Sequence, residues 1–231
     1  MTVNPAEPTE KPTRSWPMHG WLGIFLVCVF WALNWHLTGL RTHWAFFPMW
    51  VGYCLTVDAL VYVRKGTSIF TRSRKGWLAL FVMSVPGWWL FEALNWFYPG
   101  AEYFTDTEYF LLTSLCFSTV MPAVLSTAEL AGTFRWVRQL PGWKRIRPNR
   151  RTTVMFFCIG LAMLGLLLGW PRYFFPFLWL SVYFLTEPLN VWLGNESLLD
   201  RTADGDWRPA VALAVGCLIC AVFWEMWNYY S

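Results

Sequence analysis

The stretch Phe223-Trp224-Glu225-Met226-Trp227-Asn228-Tyr229 decides how the rest of the chain is interpreted. It places a carboxylate and an amide three residues apart inside an apolar, aromatic run. The earlier stretch Leu90-Phe91-Glu92-Ala93-Leu94-Asn95-Trp96 has the same arrangement. Residues three apart lie on one face of an α-helix, so the Glu and Asn of each stretch point in one direction. Ionisable residues within apolar helices are typical of functional sites in membrane proteins.

The composition indicates a polytopic membrane protein. The 231 residues are 56% hydrophobic and 14% charged, whereas average proteins are about 45–50% apolar and about 25% charged. A soluble chain of this length could not bury 18 Trp, 19 Phe and 9 Tyr without leaving large apolar patches outside. The basic residues behind the net charge of +4 cluster in two loops, as in membrane orientation signals. We therefore expect the lipid bilayer as the surroundings and no nucleic-acid partner.

Seven apolar runs approach the length of about 20 residues that a spanning helix needs. They cover residues 18–40, 45–63, 77–97, 109–131, 153–170, 173–193 and 209–230. The predicted fold is therefore all-α, a polytopic bundle of seven transmembrane helices.

Loop charge predicts the orientation of these helices. The loops 64–76 and 132–152 are basic, and the loop 98–108 between them is acidic. By the positive-inside rule the basic loops face the cytoplasm of a bacterial inner (plasma) membrane, with the N-terminus inside. Residues 1–17 are polar and proline-rich and lack a signal-peptide cleavage site, which predicts a disordered cytoplasmic tail.

The sequence also predicts an internal duplication. A constant shift of 129 residues, followed by small insertions, aligns polar residues as pairs: Asp58 with Glu187, Ser68 with Ser197, Arg72 with Arg201, Glu92 with Glu225, and Asn95 with Asn228. Charged and amide residues inside spans rarely match by chance. We interpret residues 18–131 (helices 1–4) and 153–231 (helices 5–7) as two parallel repeats. The second repeat lacks a counterpart of helix 4, so we expect an eighth helix beyond Ser231.

The main candidates for a functional site are the four acidic residues inside the predicted spans. Glu92 and Glu225 form an outer tier near the external face, and Asp58 and Glu187 form an inner tier near the cytoplasmic face. The predicted ligand-binding residues are these four acids together with Asn95, Trp96, Trp227 and Asn228. We expect the outer pairs to face each other across the pseudo-twofold axis. The alternative is that the polar groups hold helices together, which contributes about 0.6 kcal/mol per hydrogen bond on average.

Other features receive structural interpretations. Cys217-x-x-Cys220 has no second pair and no nearby His, so we predict no metal site, and the sequence names no cofactor. Glu129 is expected to be a solvated charge at a helix end, and Gly165-x-x-x-Gly169 is typical of close helix packing. The stretch Phe30-Trp31-Ala32-Leu33-Asn34-Trp35 echoes the Glu92 stretch with Trp31 in the acid's place. Either a deeper repeat or common aromatic usage could produce this echo.

The motif Trp224-Glu225-Met226-Trp227-Asn228-Tyr229 resembles the W-E-aromatic/Met-W-N-aromatic pattern of a family of uncharacterised bacterial multi-pass membrane proteins. The resemblance covers most of the chain. It implies a further Pro- and aromatic-rich stretch and another helix, but no established activity. The architecture is also similar to that of lycopene cyclase domains, which are duplicated helical units with acids near the membrane surface. Their Pro-x-Glu-Glu hallmark is absent, so no residue role carries over.

Three functional hypotheses follow. The leading one is a membrane protein that holds an apolar ligand or partner, such as a lipid, isoprenoid or pigment, in an aromatic interior. The second is an intramembrane enzyme in which Glu92 and Glu225 donate protons to a lipid or isoprenoid. The third is a proton-linked transporter that uses the two tiers of acids as proton stations.

Overall fold

The structure is a computed structural model that describes residues 14–37, 40–95 and 107–229, without the side chains of 40–43 and 109. These residues form helices and connecting turns and contain no strand, which confirms the all-α prediction. The helices are α1 Met18–His36, α2 Leu40–Lys65, α3 Ile69–Arg72, α4 Arg74–Asn95, α5 Thr107–Ser118, α6 Val120–Ala131, α7 Arg135–Arg138, α8 Arg150–Gly169, α9 Pro171–Phe174, α10 Phe177–Trp192, α11 Leu198–Ala203 and α12 Arg208–Asn228.

Six helical segments of the described chain are long and apolar enough to cross a bilayer. They are Met18–His36, Trp44–Lys65, Arg74–Asn95, Phe110–Ala131, Arg150–Gly169 and Arg208–Asn228. Six such helices are compatible with an integral membrane protein. The run predicted at 173–193 is not among them, because it is divided into α9 and the 16-residue α10.

The span Phe110–Ala131 is broken into α5 and α6 at Thr119. Pro122 lies in the first turn of α6, where its missing N–H and fixed φ are tolerated. Ser84 of α4 hydrogen-bonds to the backbone at this break. Its hydroxyl donates to the Phe117 carbonyl at 2.5 Å and accepts a hydrogen bond from the Met121 N–H at 3.1 Å. One buried hydroxyl thus satisfies backbone groups on both sides of the interruption.

Glycines bring the central helices into backbone contact. A Cβ added to Gly23 of α1 would lie 2.7 Å from the Gly52 carbonyl oxygen of α2, and one added to Gly216 of α12 would lie 2.7 Å from the Ala128 nitrogen of α6. Small residues allow such approaches between membrane helices. Among the described residues, Gly165 and Gly169 make no close helix contact, because nothing lies within 4 Å of a Cβ built at either position.

Two helix junctions share one hydrogen-bonding scheme. Between α2 and α3, Ser68 begins α3 with a capping box, and Asp58 Oδ1 accepts the Phe70 N–H at 3.0 Å. Between α10 and α11, Ser197 begins α11 with a capping box, and Glu187 Oε1 accepts the Leu199 N–H at 2.7 Å. In each junction a carboxylate on a long helix anchors the first turn of a short one.

The basic loop 132–152 packs against the connection between α11 and α12. The Trp143 N–H donates to the Gly205 carbonyl and the Ile146 N–H to the Thr202 carbonyl, each at 3.0 Å. At the other terminus, Arg14 Nη1 donates to the Gly66 carbonyl at 2.7 Å, so the end of the predicted tail has a defined contact. The rest of that tail, Trp96, most of the acidic loop and Ser231 lie outside the described residues.

Candidate functional site

An aromatic cluster occupies the half of the bundle that lies away from the basic loops. We define it as Trp31 of α1, Trp50 and Tyr53 of α2, and Trp224 and Trp227 of α12. The Trp227 ring centroid lies 4.9 Å from that of Trp50 and 5.9 Å from that of Trp31, in edge-to-face contacts. The Trp224 ring lies 5.7 Å from Trp50. In α2 and in α12 the two rings are three residues apart and so lie on one helix face, which directs them into a shared core with Trp31.

The cluster contains buried polar atoms without partners. Trp50 and Trp227 are 1% and 0% exposed. Within the described part of the chain, no hydrogen-bond partner reaches the indole Nε1 of Trp31, Trp50 or Trp227. Asn34, one turn after Trp31, is also fully buried; its Nδ2 donates to the Trp227 carbonyl at 3.0 Å, but its Oδ1 has no described partner. The cluster and the adjacent Asn34 therefore present three unpaired donors and one unpaired acceptor.

In contrast to the three indoles, the Tyr53 hydroxyl of the same cluster has hydrogen-bond partners. Tyr53 Oη lies 2.9 Å from Thr127 Oγ1 and 3.8 Å from Cys220 Sγ, and Thr127 Oγ1 donates to the Ala123 carbonyl at 2.7 Å. Cys220 is thus a buried core residue, while Cys217 of the same motif is exposed. No group of three metal-ligating side chains occurs among the described residues.

The outer tier is not brought together in the core. Glu92 and Asn95 of α4 are both partly buried. Glu225 and Asn228 lie on exposed positions of α12, whereas Trp227 between them is buried. The Glu225/Asn228 pair therefore lies on the outer side of α12 rather than in the aromatic core.

The inner tier consists of buried acids that bind backbone. Asp58 is 1% exposed, and its Oδ2 accepts a hydrogen bond from Ser68 Oγ at 2.5 Å in addition to the Phe70 contact. His19 of α1 approaches the same oxygen at 3.2 Å. Glu187 is 5% exposed and caps α11. Each carboxylate thus accepts a backbone N–H from the short helix that follows its own helix.

Glu129 was predicted to be a solvated charge at a helix end, and this prediction is wrong. Its side chain is 13% exposed and pairs with two cations of the first basic loop. Arg72 binds it with two hydrogen bonds of 2.6 and 3.0 Å, and Lys65 Nζ lies at 2.6 Å. The pairing draws α6 onto the end of α2, and it raises the pKa of Arg72, mainly through the hydrogen bond to Glu129.

Sequence reasoning missed the buried Asn34 beside the aromatic cluster and two other deeply buried polar residues of the bundle. Asn34 was contained in the echo Phe30–Trp35 but was not named as a site residue, and Ser84 and Thr127 carry no motif. The echo itself was the available signal, because it repeats the Phe91–Trp96 stretch and places Asn34 where that stretch has Asn95. No protein-family model matches the chain, and no curated protein or solved structure shows significant similarity to it.

Proposed function

We propose that the protein is a multi-pass inner-membrane protein that holds an apolar, oxygen-bearing molecule, such as a lipid, isoprenoid or pigment, at the aromatic cluster. The observation that carries the proposal is the set of unpaired polar atoms: the indole N–H groups of Trp31, Trp50 and Trp227 and the Asn34 carbonyl oxygen. A carbonyl or hydroxyl oxygen on the ligand would accept from the indoles. A ligand hydroxyl could also donate to Asn34.

The energetic argument comes from the cost of burying such groups. A buried donor or acceptor without a partner costs about 1–3 kcal/mol, and the hydrocarbon core of a bilayer supplies no water to satisfy it. Four such atoms in one cluster therefore favour a ligand that supplies the missing partners. The surrounding rings suit the apolar body of that ligand, since small-molecule sites are lined mainly by hydrophobic and aromatic side chains.

The same proposal includes the internal repeat and seven spans. The matching junctions at Asp58 and Glu187 support the repeat, because each carboxylate accepts the backbone N–H twelve residues later, next to a capping-box serine. Taken together, α9 and α10 cover 171–192, about the 20 residues that a crossing needs. The basic loops would then face the cytoplasm, with the N-terminus on the same side.

Mass spectrometry of the purified protein tests ligand retention. Wild-type protein, Trp50→Phe and Trp179→Phe would be solubilised in mild detergent, and co-purifying small molecules would be extracted and quantified. Trp50→Phe keeps an aromatic ring and removes one buried N–H. Trp179 is the matched control, because it occupies the position shifted by 129 residues but is 47% exposed.

We expect one apolar, oxygen-bearing compound at near-stoichiometric amounts in wild type and Trp179→Phe, and a clear loss in Trp50→Phe. Asn34→Leu should reduce the same compound while leaving the helical circular dichroism unchanged. If all preparations carry only bulk membrane lipids in the same proportions, the unpaired groups are satisfied by buried water and the proposed ligand site is excluded.

A further inference from the structure

A second, independent feature lies at the opposite end of the bundle, where α6 ends and α12 begins. A cavity of about 400 Å³ opens there between Gly132 at the end of α6, Val137 and Arg138 of α7, and Arg208 and Ala212 of α12. Its volume falls within the range of about 300–1,000 Å³ found for small-molecule sites. The aromatic cluster contributes no residue to it.

The position of the cavity corresponds to the boundary of the apolar layer. The candidate spans Phe110–Ala131 and Arg208–Asn228 terminate at its two walls. A molecule in the cavity would therefore have its polar part level with lipid headgroups and its apolar part alongside α6 and α12.

The cavity has an apolar inner wall. Ala131, Val137 and Ala212 are 0%, 1% and 7% exposed and form a small core cluster. Phe134, Leu140 and Val215 pack against this cluster. Of this cluster, Val137 and Ala212 line the cavity, together with Pro209. They offer apolar contacts beside the charged rim, a combination that suits an amphiphile better than a free ion.

The charged rim has an excess of positive charge. Arg208 forms two side-chain hydrogen bonds to Asp206, at 2.7 and 2.9 Å, so these two residues neutralise each other. The hydrogen bonds from Arg208 also lower the pKa of Asp206, which keeps its carboxylate ionised at neutral pH. Arg138 also lines the cavity, and no carboxylate of the described residues forms an ion pair with it. One uncompensated guanidinium therefore remains.

We propose that this cavity binds the phosphate headgroup of an anionic phospholipid, with Arg138 as the principal phosphate ligand. The guanidinium fork matches phosphate oxygens in a bidentate geometry, and basic pockets between helices on the cytoplasmic side are typical sites for anionic headgroups. The acyl chains would extend along the apolar wall, and the surrounding basic loop would raise the local concentration of anionic lipid.

Native mass spectrometry in mixed micelles tests the site. Full-length protein would be titrated with phosphatidylglycerol, with phosphatidylcholine of the same chains, and with inorganic phosphate. Arg138→Gln removes the unpaired charge from the cavity. Arg147→Gln is the control, because it removes one charge from the same loop at an exposed position that does not line the cavity. Ala212→Leu narrows the cavity without changing charge.

We expect one phosphatidylglycerol to bind in preference to phosphatidylcholine. Arg138→Gln should weaken that binding about 10-fold or more, as expected for a lost hydrogen bond to a charged group. Arg147→Gln should change it less than twofold, and Ala212→Leu should also weaken it. Inorganic phosphate should not compete.

Three outcomes would overturn the proposal. Equal binding of the two lipids would remove the role of charge. Equal losses in Arg138→Gln and Arg147→Gln would show a diffuse attraction to the loop rather than a site. Displacement of the lipid by inorganic phosphate would assign the cavity to a soluble phosphate. If Ala212→Leu fails to fold, the two arginine variants still decide between site and diffuse attraction.

Discussion

Trp50 and Trp179 occupy matching positions on α2 and α10 but have opposite environments. Trp50 is 1% exposed, among the rings of α2 and α12, whereas Trp179 is 47% exposed. The difference comes from the neighbours, because α12 covers the α2 face and no described helix covers the corresponding face of α10 around Trp179. Two residues that the 129-residue shift aligns in the sequence thus have different environments according to which helix lies next to them.

The largest expected effect comes from removing the two rings. Trp50→Ala should lower the free energy of unfolding by about 3–5 kcal/mol, because it deletes a large side chain at the centre of a packed cluster. Trp179→Ala should cost much less, since nearly half of that side chain is already outside the protein. Thermal unfolding in one detergent, followed by circular dichroism, measures both variants. Equal shifts in Tm would mean that the face of α10 is covered in the membrane by contacts beyond the described residues.

The two capping acids provide a smaller contrast. Asp58 uses both oxygens, for Ser68 and for Phe70, whereas Glu187 uses Oε1 for Leu199. Asp58→Asn replaces one acceptor oxygen by an N–H donor, which would face the donor group of Ser68 or Phe70. We therefore expect the free energy of unfolding to fall by about 1–3 kcal/mol. Glu187→Gln keeps an amide oxygen that can accept the Leu199 N–H, so its loss should be below about 1 kcal/mol. Hydrogen exchange of the Phe70 and Leu199 amides reports on each cap separately. If the Leu199 amide is accelerated more by Glu187→Gln than the Phe70 amide is by Asp58→Asn, then the cap of α11 depends on its carboxylate more than the cap of α3 does, contrary to this prediction.

The sequence predicted the helical class and six of the long apolar helices, because hydrophobic length is a local property. It aligned Asp58 with Glu187 and Ser68 with Ser197, but it did not predict that these residues cap α3 and α11. It did not predict which polar residues face the core. Glu225 and Asn34 stand in similar Trp/Asn stretches, yet Asn34 is fully buried and Glu225 is exposed. That outcome depends on how α1 and α12 are rotated against α2 and α6, and periodicity within one helix does not determine such rotations. For the same reason, the sequence did not predict the ion pairs of Glu129 with Lys65 at the end of α2 and with Arg72 of α3.

The smallest contrast concerns two glycines and should have opposite signs. Gly52→Ala introduces a methyl group that would lie 2.7 Å from Leu26 Cβ and 2.8 Å from the Gly23 carbonyl, so α1 and α2 must separate. Overpacking of this kind costs about 1–3 kcal/mol, which exceeds the gain of about 1 kcal/mol in helix propensity from replacing glycine. Gly165→Ala meets no described atom within 4 Å and keeps the whole propensity gain. We therefore expect a lower Tm for Gly52→Ala and an unchanged or higher Tm for Gly165→Ala, measured in the same detergent. A decrease for Gly165→Ala would show that this face of α8 packs closely against a neighbour in the membrane.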